Sequence, residues 1–351
     1  MGDPQAPFAK LREVLERHGA LDDGVVADNV ALISIGDHFD YDFRAPEQAG
    51  REGLALLRWL ADHDAGSVTL LIGNHDISRV MELAGVTDEQ FTAARTLARA
   101  VDDGSRTEAE FRAAFPALPP SGVVGRDYAS FSIAQRDLVI ELLLAGRFHL
   151  ALAAVLPDGR DVLVTHAGVT SRELDLLGLA DERDPRVIAA ALEAQLHAAV
   201  ERVRADWQRG VPTALTLAPI HLAGATGEEG GGLLYHRPSN PARRDANKAW
   251  ELAPGRPRRF DPRTLPPGLT QVAGHSGHNK CLTELGDWAT AAARGRLHGG
   301  IRTLRVLDGD VTYDLGIAPP ADNAADLILI DGELRRVPAS EVDLLELARV
   351  L

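Results

Sequence analysis

The sequence predicts an α/β fold organised on parallel strands. Residues 30–36 ("VALISIG") and 67–76 ("SVTLLIGNHD") read as apolar strands. Between them, "EQAGREGLALLRWLADHDAG" spaces Leu54, Leu57 and Leu60 at helical intervals, which gives the strand–helix–strand order of a parallel unit. Both strands end at a glycine followed by polar residues. Functional groups in open α/β sheets collect beyond the carboxyl ends of strands, so the two loops should share one crevice. Two later strands, in "RDVLVTHAGVT" and "LTQVAGHSGHNK", end in polar tips of the same kind.

The remaining elements follow in chain order. In residues 8–18, Phe8, Leu11, Val14 and Leu15 share one helical face and Gly19 ends the run. Residues 78–156 are mostly helical in pattern, interrupted by "FPALPPSG", and are assigned as an inserted helical cap. Asp184 with Pro185 in the first turn opens a long helix. Residues 209–268 are rich in Gly, Pro and Arg, and 176–267 is assigned as a second helical and irregular insertion in a single domain spanning 1–351. Asp308-Gly309 supplies the turn of a hairpin in "TLRVLDGDVTYDL". "ADLILIDGELRRV" reads as a second hairpin, and Ser340 with Asp343 as the cap of a final helix.

A formal net charge of −14 over 351 residues argues against binding nucleic acid or anionic membrane through the overall field. Phosphate-bearing substrates would need local cations. The single cysteine, Cys281, excludes an intrachain disulfide and a cysteine-based zinc site. With no apolar signal segment and no run of the ~18 apolar residues that span a bilayer, the expected location is cytoplasmic.

The four tips carry Asp37-His38-Asp40, Asn74-His75-Asp76, Thr165-His166 and His275 with His278. Each histidine alone is more readily a surface or core residue. Imidazole, carboxylate and amide oxygen together are what a pair of divalent transition ions needs, and a shared carboxylate can bridge ions about 3.5–4 Å apart.

"GDHFD", "GNHD", "THAGV" and "GHSGH" resemble, in order and approximate spacing, the motifs of calcineurin-like metallophosphoesterases. The pairing of "HAG" with "GNH" is most similar to the phosphoprotein-phosphatase branch and its diadenosine-tetraphosphatase relatives. The resemblance covers about residues 1–80, 155–175 and 268–315. It implies a four-layer sandwich of two mixed sheets face to face with helices outside, and two divalent metals, Mn²⁺ first, with Fe, Zn or Mg as alternatives. Residue by residue, it makes Asp37 the bridging ligand, with Asn74, His166 and His275 completing one metal's shell and Asp3 serving the other. His75 would protonate the leaving oxygen and Asp40 would orient it, after in-line attack by a metal hydroxide.

The sequence departs from that pattern in three places. Gln5 stands where the family has histidine, which favours Mn²⁺ or Mg²⁺ over zinc, and His278 is a candidate to compensate. Gln5 and His278 are therefore held as metal or substrate residues. Asp3 has no strand before it, so either the chain begins upstream or Asp3 rides on a loose terminus. Asp40-Tyr41-Asp42 replaces Asp-Arg-Gly and loses the phosphate-clamping guanidinium, leaving Arg44, Arg79, Arg172, Arg243, Arg244 and Lys280 as candidates, with "RPSNPARRDANK" the favoured cluster. Arg44, Arg243, Arg244 and Lys280 are the assigned substrate contacts.

The resulting expectation is a metal-dependent phosphomonoester hydrolase acting on a phosphorylated protein or small molecule. A nucleotide polyphosphate hydrolase and a non-catalytic phosphate- or metal-binding module are the alternatives.

Overall fold

The computed structural model describes residues 1–225, 227–243 and 257–351; Arg244 lies outside the described residues. Helix α1 (Phe8–Arg17) precedes strand β1 (Leu32–Ser34), helix α2 (Pro46–Ala61) and strand β2 (Val68–Leu71). β1 and β2 pair in parallel as the α/β pattern requires, and β3 (Phe148–His149) joins β2 in parallel. The chain then passes through Leu150 into a second, mixed sheet of β4 (Ala151–Val155), β5 (Asp161–Thr165), β6 (Thr270–Ala273), β7 (Arg302–Leu307), β8 (Asp310–Leu315), β9 (Ala325–Leu329) and β10 (Arg349–Val350). Its seven strands lie in the order β8-β7-β9-β6-β5-β4-β10.

Strand periodicity sends alternate residues to opposite faces, and the core follows from that. Ile33, Ile35 and Leu71 of the small sheet share one buried cluster with Leu152, Val162, Val164, Val272 and Ile328 of the large one. Leu32 and Leu70 turn the other way, into the cluster that holds Leu11, Leu15, Leu56, Leu57 and Leu60 of the first two helices. The far face of the large sheet is covered by two helices. The long helix Pro185–Gln208 packs on β4 and β5, and Cys281, Leu282 and Leu285 of helix His278–Leu285 meet Ala273, Leu327 and Leu329. Among the described residues, no helix is long and apolar enough to cross a membrane.

Several sequence expectations change here. Residues 78–156 include helices Asp88–Asp102, Glu108–Ala114 and Ile133–Leu144, but the last residues of that span are β3 and β4. The long helix, assigned to the second insertion, is a layer over the main sheet, and Asp184 caps it by accepting from the Arg186 amide at 2.9 Å. Asp308-Gly309 does turn the hairpin of β7 and β8. "ADLILIDGELRRV" forms no second hairpin, because β9 instead inserts between β7 and β6. Ser340 belongs to a single 3₁₀ turn, and the chain beyond it runs extended to β10 on the edge of the large sheet, so there is no final helix.

Asp3 is not on a loose terminus. Met1 N donates to the Ile33 carbonyl at 2.9 Å and the Ile35 amide donates to the Met1 carbonyl at 3.1 Å, so the first residues run beside β1.

Candidate metal centre

The ends of β1 and β2 are tied together by one side chain. Asp76 accepts from the backbone amides of Asp37 (2.8 Å), His38 (2.9 Å) and Gly73 (2.9 Å), and from His38 Nδ1–H at 3.0 Å. These bonds and the His38 charge outweigh burial and hold the Asp76 carboxyl down at about 2. The loops meet closely: a Cβ on Gly73 would lie 2.2 Å from Asp37 Oδ1, which is why a glycine precedes Asn74. On the other sheet, β5 and β6 are parallel neighbours, and the Gly274 amide donates to the His166 carbonyl at 2.9 Å. Gly274 again admits a carboxylate, Asp3 Oδ1, within 2.2 Å of where a Cβ would stand. Asp37, Asp40 and His275 all take left-handed backbone angles (φ 59°, 65° and 59°), a conformation that Asp and His adopt more readily than most residues.

These tips bring together Asp37, His166 and His275, whose ligand atoms lie within 4.8 Å of one another. This cluster could hold a metal ion. His166 Nδ1–H donates to the Ile35 carbonyl at 2.7 Å, which turns Nε2 toward Asn74 Oδ1 (3.1 Å) and Asp37 Oδ1 (3.5 Å). His275 Nε2–H donates to the Tyr235 carbonyl at 3.0 Å, while its buried Nδ1 has no partner. Burial and Arg237 push the His275 imidazole well below its ordinary value, keeping that lone pair unprotonated. A buried, unprotonated and unpaired ring nitrogen on a member of this cluster fits a divalent ion, and the carbonyl behind each ring sets the tautomer as a metal ligand requires.

Asp3 accepts from the His275 amide through both oxygens, at 2.8 and 3.0 Å. Burial, Asp331 and Asp37 raise its pKa well above the ordinary range. Several buried carboxylates converging on one cavity repel one another unless a cation lies between them. Gln5 also lines this cavity, and its Nε2 donates to the Phe39 carbonyl at 3.0 Å, so its amide oxygen is the end left for the cavity.

His75 stands at the cavity wall. Its Nδ1–H donates to Asp40 Oδ2 at 3.0 Å and its Nε2 is 3.8 Å from Asp37 Oδ2. Burial alone would lower its pKa, but Asp37 and Asp40 raise it to about 9. Asp40 is itself held by Arg79 Nη2 at 2.6 Å and by the amide and hydroxyl of Ser130 at 2.8 and 2.6 Å. Those contacts with Arg79, His75 and Ser130 outweigh burial and keep Asp40 below the usual carboxylate range.

The structure redistributes the predicted cations and the second histidine. His278 is a core residue: Nε2–H donates to the Gly300 carbonyl and the Tyr313 hydroxyl donates to Nδ1 at 3.2 Å, so neither ring nitrogen is left for a metal or substrate. Arg79 is fully buried and committed to Asp40 and the His75 carbonyl. Arg172 pairs with Glu173 at 2.7 Å, and Arg243 packs over Gly286, both outside the lining of the cavity. Arg44 lies in a neighbouring groove. Lys280 does line the cavity, a space of about 550 Å³ shared with Arg237 and Arg258.

Sequence reasoning missed Arg237, Asp76 and Asp331. Arg237 opens the very stretch "RPSNPARRDANK" that was favoured, but the doublet at its centre drew the assignment. Its Nε is buried without a partner, and burial with Arg258 and Arg259 lowers its pKa to about 10. Arg237 and burial in turn lower Lys280 to about 8. Asp331 lines the cavity near Asp3 and is raised to about 6 by burial, Glu333 and Asp37.

No known protein family and no curated protein matches the sequence of this chain.

Proposed function

We propose that this chain is a dinuclear-metal-dependent phosphoesterase acting on phosphomonoesters. The observation that carries the reading is the cluster of Asp37, His166 and His275, in which the buried Nδ1 of His275 is bare, beside a His75–Asp40 pair. Asp37, Asn74, His166 and His275 would hold one ion, and Asp3, Asp37 and Gln5 the other, with Mn²⁺ favoured where oxygen ligands dominate. Bound divalent ions supply Lewis-acid polarisation of a phosphoryl oxygen and an activated water.

The chain's own residues do the rest. Asp40, fixed by Arg79 and Ser130, holds His75 protonated so that Nε2–H can be given to the departing oxygen. Arg237 and Lys280 line the same cavity and would offset phosphoryl charge, replacing the guanidinium lost at Tyr41. The two sheets sharing one core, with helices on their outer faces, support the four-layer metallophosphoesterase sandwich.

The test is metal analysis with a chromogenic phosphoester assay in Mn²⁺, for the native chain and Asp37→Asn. The expected result is bound metal and turnover that fall together in the variant. Metal bound without turnover by the native chain would make it a binding module and overturn the enzymatic reading.

A further inference from the structure

We propose that the groove of Phe43, Arg44, Arg99 and Arg126 is a subsite for the leaving group of the substrate, taking a nucleotide whose flat base stacks and whose remaining phosphate supplies further negative charge. The inference rests on the phosphoesterase reading for the position of the scissile bond, and it extends the substrate from a phosphomonoester to the terminal phosphoryl of a nucleoside diphosphate, with water taking up the phosphoryl group and a nucleoside monophosphate departing.

The groove, about 500 Å³, adjoins the metal cavity, since Phe43 and Arg126 line both. A substrate held at Asp37 and His75 would extend past Phe43 to occupy it. Phe43 is an exposed aromatic residue, with the Arg44 guanidinium 5.5 Å from its ring centroid. A ring and a neighbouring guanidinium form a platform on which a planar group stacks. Arg99 donates to the Phe43 carbonyl at 3.5 Å, which sets a second cation beside the platform. Arg126 pairs with Asp102 at 2.6 Å, and the three arginines against that one carboxylate leave the groove positive on a chain whose net charge is −14. The field there selects an anion.

The floor is Ala98, Gly122 and Gly125. Gly125 lets the turn approach Ala98, where a Cβ would come within 3.3 Å of the alanine methyl. Gly122 is different: a Cβ there meets nothing within 4 Å, and its φ of −61° is ordinary for any residue. A side chain on that position clashes with nothing in the protein and would stand at the lining of the groove. The cavity, about 550 Å³, and the groove, about 500 Å³, are each the size of a small-molecule site, typically about 300–1,000 Å³. An aromatic platform in a cationic groove suits a nucleoside diphosphate better than a phosphopeptide.

The experiment measures ADP binding by calorimetry, and kcat and KM for ADP, glycerol 2-phosphate and a phosphoserine peptide, for the native chain, Phe43→Ala and Gly122→Leu. Thermal melting confirms that each variant folds. Both substitutions should weaken ADP binding about tenfold, the scale of one lost stacking contact. They should raise the KM for ADP at least fivefold more than that for glycerol 2-phosphate, with kcat little changed. Calorimetry reads the groove even if no phosphoester is turned over, a result that would sink the phosphoesterase reading alone. Equal ADP affinity in all three proteins would overturn the subsite, and a loss confined to the phosphopeptide would overturn its chemical class.

Discussion

Two histidine–aspartate pairs, made from the same two loops, differ in one respect that separates scaffold from chemistry. The loops exchange partners: His38 of the first pairs with Asp76 of the second, and His75 of the second pairs with Asp40 of the first, each at 3.0 Å. The His38–Asp76 side chains are wholly buried, and His38 Nε2 is taken by Ser34 Oγ at 2.9 Å. His75 keeps 14 % of its side chain exposed, with Nε2 directed at the cavity beside Asp37. The same pair of residue types is a brace when both ring nitrogens are satisfied inside the protein. When one is left at a cavity wall, as proposed for His75, the pair is available as a proton donor.

Breaking the brace should have the largest effect. Asp76→Ala strands three backbone amides and the His38 imidazole, and loss of one partner of a buried charged pair costs about 3–5 kcal/mol. Both loops should then loosen, and denaturant melting and metal analysis should fall together. Retained metal binding with near-native stability would refute the brace.

The donor side should separate chemistry from stability. His75→Ala is expected to lower turnover by about 10²–10⁴ on alkyl phosphates, with smaller loss on aryl phosphates, whose leaving groups need less protonation. Metal content should hold. Equal losses across a leaving-group series would remove the general-acid role.

His278 sharpens the same comparison, three residues from a bare ring nitrogen but with both of its own engaged. His278→Ala should leave metal content unchanged and cost about 1–3 kcal/mol, because the Tyr313 hydroxyl and the Gly300 carbonyl lose a buried partner. A chelator-sensitive melting shift that vanishes in this variant would instead make it a ligand.

The smallest effect concerns Glu82, a buried carboxyl outside both pairs. Its Oε1 accepts from the Gly224 amide at 2.9 Å, its Oε2 has no partner, and burial raises its pKa to about 7 from an ordinary value of 4.5. The folded state holds this proton more tightly than the unfolded chain, so the associated stability is fully present below about 4.5 and is lost as pH rises through about 7. Glu82→Gln keeps an acceptor for Gly224 and removes the titration. Its melting temperature should match the native chain in acid and exceed it above neutral pH. Parallel pH profiles would show that Glu82 carries no such proton.

The sequence by itself determined the strand tips and the residue types placed on them. Apolar runs ending at glycine specify a strand whose polar loop must emerge at the sheet edge, although the carboxylates that pass within 2.2 Å of a would-be Cβ on Gly73 and Gly274 are visible only in the structure. Local signals also set the long helix through Asp184 and Pro185, and the hairpin through Asp308-Gly309. They failed at residues 325–337, where β9 pairs with strands distant in the chain and no nearby turn partner exists.

Only the tertiary structure decided which polar groups remain available. His275 keeps a bare nitrogen because the Tyr235 carbonyl, 40 residues away, takes the other, whereas His278 loses both to Gly300 and Tyr313. Arg79 is spent on Asp40 while Arg237 faces the cavity, though nothing in their local sequence distinguishes them. Asp3 reaches His275 across 272 residues. Ligation, proton transfer and anion binding all draw on hydrogen-bonding capacity left over after folding, and that remainder belongs to contacts between segments, which no single stretch of sequence contains.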